Sequence, residues 1–132
     1  MKAAYFDDSQ WPVLEIKIRS SPPSDAEMDE YFNELQTFYD RREPFVTIYN
    51  ASQVNYILPT QQRVRMGKWL KDHSKSIKNY IQAYIFVLPS VFGRIILKGV
   101  LLVSNLPAPH YVVNEMDDAL VLAKEIITEV EA

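Results

Sequence analysis

The 132-residue chain reads as an α/β fold, with one mixed, mostly parallel five-stranded sheet, an N-terminal β-hairpin and four helices. Three observations predict it. Two extended runs open the chain close together, as the arms of a hairpin do. After them, short β-branched and aromatic runs alternate with stretches of helical spacing, in the order β, β, α, β, α, β, α, β, α. Such alternation implies right-handed crossovers between parallel strands, and the hairpin then supplies an antiparallel edge.

The hairpin is expected from Ala3 to Phe6 and from Val13 to Arg19, with its turn at Asp8, Ser9 and Gln10. The second arm alternates Val13, Glu15, Lys17 and Arg19 with Leu14, Ile16 and Ile18, as a half-buried strand does. Ser24 can cap the first helix while Glu27, three residues on, reaches back to it. Tyr31, Leu35 and Phe38, with Met28 and Tyr39, recur at helical spacing, and the helix is expected to end near Arg42, before Pro44. Phe45 to Tyr49 (FVTIY) then reads as a buried strand.

The second helix follows Pro59, with Thr60 as its expected cap and Val64, Gly67, Leu70, His73 or Ser74, and Ile77 toward the core. Ile81 to Leu88 is the next strand, closed by Pro89 and Ser90. Ser90 can cap a third helix, VFGRIILKGVLLVSN, whose almost wholly apolar surface must be covered nearly all round. Tyr111 to Val113 is a short last strand. Asn114 caps a final helix from Glu115 to about Val130, striped by Met116, Ala119, Leu120, Ala123, Ile127 and Val130. No linker or internal repeat divides the chain, so residues 1–132 are expected to form a single domain.

Apolar residues make up 48% of the chain and charged residues 23%, far from the signature of disorder. Without cysteine there is no disulfide, thiolate zinc site or cysteine nucleophile to consider. The N-terminus lacks a signal-peptide core, and no run approaches the roughly 18 apolar residues of a membrane span. A cytoplasmic address is the expectation.

The run PFVTIYNAS followed by PTQQRVRMGKWL, then AYIFVLPSVFGRIILKGVLL, and finally PHYVVNEMDDALVLA, resembles the STAS and SpoIIAA-like group of bacterial regulatory domains across essentially the whole chain. The resemblance implies a STAS-like fold and a non-enzymatic role, in which a partner protein is bound and phosphorylation of a serine at the loop into the second helix switches the binding. The group's Asp-Ser-Ser-Gly turn is missing here, where the chain reads Asn50-Ala51-Ser52-Gln53-Val54. Ser52 and Thr60 are the hydroxyl residues left in that loop to carry a phosphate. Members of the wider group bind lipids or apolar small molecules under their helices, which here would place a ligand around Phe92, Ile96 and Val100. Plain core packing of the third helix gives the same pattern.

Enzyme motifs are scarce. The two histidines, His73 and His110, stand at no metal-ligand spacing with carboxylates, and the glycines sit inside expected helices, so no metal and no cofactor are expected. Asp117 and Asp118 suit a helix start, and Ser90 reads as a plain cap for want of an activating base. No catalytic residue is expected, and the chain is read as a non-enzyme.

Charge is more informative. Between Arg63 and Lys78 stand six basic residues and one acid, while Asp25 to Glu43 carries seven acids and two bases, and Glu115 to Ala132 six acids and one base. A formal net charge of -3 therefore hides a bipolar molecule, and patches of one sign steer encounters with the other. Arg65, Lys68, Asp72 and Lys75 would share one outer helical face. A pI near 5.4 argues against nucleic acid. The expected function is thus a regulatory or scaffolding domain that docks an acidic patch of a partner protein, a homodimer included. Tyr56 and Ile57 would be its apolar anchors, with Thr60, Arg63, Arg65 and Lys68 beside them. The alternative is a binder or sensor of an apolar small ligand or lipid.

Overall fold

The computed structural model describes residues 2–91, 93–95 and 106–131. It is α/β. One five-stranded sheet runs in the order β1 (Ala4–Gln10), β2 (Val13–Ile18), β3 (Phe45–Asn50), β4 (Ile81–Val87), β5 (His110–Val113). The first pair is antiparallel and each later pair parallel, as the alternation of elements predicts.

The hairpin turn differs from its expected place. β1 continues through Asp8 and Ser9 to Gln10, and the chain reverses at Trp11-Pro12, with Gln10 opposite Val13. Asp7 Oδ1 accepts the Ser9 amide at 2.9 Å and the Asp8 carbonyl accepts the Trp11 amide at 3.0 Å, so the polar residues form an irregular strand end.

Helix α1 (Asp25–Tyr39) starts on the predicted capping box, with Ser24 Oγ accepting from the Glu27 amide and the Glu27 carboxylate accepting from the Ser24 amide. It buries the five residues its spacing singles out, Met28, Tyr31, Leu35, Phe38 and Tyr39. Helices α2 (Thr60–Asp72) and α3 (Ser74–Tyr80) replace the single second helix expected. They part at His73, whose ring Nδ1 lies 2.8 Å from the Trp69 carbonyl oxygen and whose ring stacks on Trp69 at 4.0 Å.

The inward face of α2 also differs from the expected one. Val64 is 66% exposed, and a Cβ added at Gly67 would meet nothing within 4 Å. Gln62, 5% exposed, faces inward instead because its Nε2 donates to Asp25 Oδ1 of α1 at 2.7 Å. Met66, Trp69 and Leu70 complete that face, and Ile77 of α3 is fully buried, as its spacing implies. Thr60 does not cap the helix. Pro59 holds the cap position, and Thr60 Oγ1 accepts from Arg63 Nη2 at 2.9 Å.

Helices α1, α2 and α3 cover one side of the sheet, over Leu14, Ile16, Phe45 and Tyr84. Helix α4 (Met116–Glu131) covers the other, setting Ala119, Ala123 and Ile127 against Val13, Val46, Ile48, Ile85 and Val87. These three belong to the predicted stripe, and Met116 and Leu120 pack beside them, while the side chain of Val130 lies outside the described residues. The stripe also explains why Val13 is buried while Glu15 and Lys17, on the same side of β2, are not: α4 reaches Val13 and leaves the hairpin edge open.

Candidate functional site

In a parallel sheet the carboxyl ends of the strands open toward loops, and ligand sites gather there. Here a cavity of about 260 Å³ lies at that end of β2, β3 and β4, on the side covered by α2. Its floor is the sheet: alternate residues place Tyr49 of β3 beside Phe86 of β4, with Tyr84 two positions back. The Tyr49 and Phe86 rings are stacked with centroids 5.7 Å apart, and Tyr49 and Tyr84 lie 6.0 Å apart. Met66 and Leu70 of α2 form its roof, and the loop after β3 closes one wall with Val54, Tyr56 and Leu58.

The cavity's polar atoms are largely engaged with the protein. The Tyr49 hydroxyl bonds the Tyr31 hydroxyl at 3.0 Å, and the Tyr56 hydroxyl donates to the Arg19 carbonyl at 3.2 Å. Burial, more than any neighbouring charge, raises the pKa of Tyr31, Tyr39, Tyr49, Tyr84 and Tyr56 above the usual phenol value. These groups therefore stay neutral near pH 7. An occupant would meet rings, methyls and a thioether, with neither a carboxylate nor an ammonium in the described wall.

The loop over the cavity is tied at several points. Ala51 N–H donates to the Val87 carbonyl at 3.2 Å and Val54 N–H to the Ala51 carbonyl at 3.1 Å. Ser52 is exposed, and its hydroxyl donates to Asn50 Oδ1 at 2.7 Å. Arg19, under the Tyr56 hydroxyl, pairs with Glu27 of α1; that guanidinium, ahead of the Ser24 amide, holds the Glu27 pKa down at about 2.

The residues expected to meet a partner fall into two groups. Ile57 is 58% exposed, and Thr60, Arg63 and Lys68 are exposed as well. Tyr56 turns inward to the cavity wall. Arg65 turns toward α1, where it pairs with Asp25 and Asp29, so its charge is compensated within the molecule and it shares no outer face with Lys68. Lys75 belongs to α3, beyond the break at His73. Among the described residues Arg63, Lys68, Lys71, Lys75 and Lys78 form no ion pair, and all are exposed.

Of the apolar third helix, Phe92, Ile96 and Val100 lie outside the described residues. Its start is described: Ser90 Oγ accepts the Gly93 amide at 3.0 Å, the capping role expected of it, and Gly93 borders the cavity with Leu88 and Leu106. The floor of the cavity, Tyr49, Tyr84 and Phe86, was missed by sequence reasoning. Its signal was the alternation in FVTIY and AYIFV, which puts Tyr49, Tyr84 and Phe86 on one side of adjacent strands. Among the described residues no group of three or more His, Asp or Glu side chains is arranged to hold a metal ion. No protein-family model, curated protein or solved structure matches the chain.

Proposed function

We propose that the protein binds a small apolar ligand, acyl or aromatic, between the sheet and α2. The observation that carries this reading is the cavity of about 260 Å³ walled by Tyr49, Met66, Leu70, Tyr84 and Phe86, just below the usual range of small-molecule sites, roughly 300–1,000 Å³. The cavity is partly open to solvent, and an apolar occupant would take its rings and methyls out of water. The resemblance to STAS and SpoIIAA-like domains supports the reading, since the wider group includes binders of lipids and apolar small molecules. Each methylene that enters contributes about 0.8 kcal/mol.

Native mass spectrometry of freshly purified protein tests this. A co-purifying apolar adduct is expected, absent from Met66→Trp, whose larger side chain would occupy the same space. A clean mass for both proteins, with no binding of an apolar fluorescent probe, overturns it.

A second reading keeps the partner-docking expectation, favoured by Ile57 and Val64 standing exposed near Arg63 and Lys68, which form no ion pair among the described residues. In it the loop after β3 and the outer side of α2 dock an acidic patch. Reversal of charge at Arg63 and Lys68 should then abolish salt-sensitive association. Cavity and docking face share α2, so ligand entry and partner binding would be coupled through one helix.

A further inference from the structure

Two helices on opposite sides of the sheet carry the same design with opposite charge. On α2, Val64 is 66% exposed, and one and two turns along stand the exposed Lys68 and Lys71. Asp72 lies at the margin of that patch, and Gly67, with nothing within 4 Å of an added Cβ, leaves its flank open to close approach. On α4, Val121 is 60% exposed, with Asp117 and Asp118 one turn before it and Lys124 and Glu125 one turn after. Among the described residues none of Lys68, Lys71, Asp117, Asp118 and Glu125 has an ion-pair partner. An apolar centre within a charged rim is the anatomy of a protein interface, and these two rims complement each other.

We propose that α2 of one copy docks on α4 of a second copy, valine against valine and lysines against carboxylates. The proposal rests on the docking reading of α2 given above and names its partner. Because the two patches lie on opposite sides of the sheet, the contact is heterologous: a copy that has engaged its α2 still offers its α4. Association therefore does not close at a dimer but extends head to tail. One helix against another buries less than the roughly 1,200 Å² of a stable complex, so the contact is weak and populated at high concentration and low salt.

Sedimentation velocity of the full chain over a range of concentrations at low ionic strength tests this. The weight-average mass is expected to climb past about twice the monomer and to fall back when salt is added. Lys68→Glu with Lys71→Glu makes both patches acidic, and Asp118→Lys with Glu125→Lys makes both basic. Each doubly substituted protein should be monomeric alone, while their equimolar mixture should associate again, which a merely structural defect would not produce. A wild type that stays monomeric throughout, or variants that self-associate as it does, overturns the proposal. Capture of polyglutamate by that monomeric wild type, lost in Lys68→Glu with Lys71→Glu, would leave the docking reading standing with a different occupant. Failure to capture it would remove both.

Discussion

Under α4 the sheet offers Val13, Val46, Ile48, Ile85 and Val87, and the helix meets it with Ala119, Ala123 and Ile127. Under α1, α2 and α3 the same strands offer Phe45, Tyr49, Tyr84 and Phe86, met by Tyr31, Phe38, Tyr39 and Trp69. Small β-branched chains and alanines let a helix lie close and interlock, whereas flat rings with hydroxyls at their edges must tilt and stack to satisfy both shape and hydrogen bonding. The cavity lies on the second side. Opposite sides of one sheet thus divide the work, with α4 anchoring the fold and the aromatic side keeping space beneath α2.

The contrast is broken most directly by removing methylenes from each side. Ile85→Ala leaves a void against α4 with nothing to collapse into it and should cost about 3–4 kcal/mol in urea unfolding. Leu70→Ala, at the roof of an existing space and already partly exposed, should cost about 1–2 kcal/mol and enlarge the cavity. Equal losses at the two positions would show that the sides are packed alike.

Next in size is the tyrosine pair. Tyr49→Phe strands the buried Tyr31 hydroxyl and should cost about 1–2 kcal/mol. The same burial raises the phenol pKa values, so the neutral forms stabilise the fold fully below pH 10, the ordinary tyrosine value, and that stabilisation is lost as pH climbs above it. Spectrophotometric titration should show Tyr31, Tyr39, Tyr49 and Tyr84 ionising only as the protein unfolds. Their titration at the ordinary value with the fold intact would mean that water reaches the aromatic side freely.

Thr47 lies on this side too, between Phe45 and Tyr49, and its Oγ1 is buried without a hydrogen-bond partner among the described residues. Thr47→Val should therefore stabilise the protein by about 1 kcal/mol, where removal of a satisfied hydroxyl would destabilise it. The smallest effect concerns the margin of the aromatic side. Glu27, held down at about 2 by Arg19, lends stability that is complete above pH 4.5 and lost as pH falls toward 2. In Glu27→Gln the stability curve over that window should be flatter.

The same division governs what could be read in the sequence. α1 and α4 were legible because a capping box and an apolar stripe are local signals, and their partners are strands with matching alternation. α2 was not, because its orientation is set by bonds to α1: Gln62 and Arg65 reach Asp25 and Asp29, which turns an amide inward and Val64 outward. No spacing rule registers a partner some 40 positions away. The basic outer side was recognised from its charge count, with Arg65 wrongly included for this reason. The floor of the cavity was missed, because it required the register between β3 and β4.

The strictly sequential strand order has a consequence for how the chain comes together. Each strand pairs with the one made just before it, so no strand has to insert between two already joined, and each step closes a single crossover. The sheet can be laid down from the hairpin outward as the chain emerges, with β5 and α4 added last. The space at the ends of β2, β3 and β4 is then framed before the final helix seals the far side.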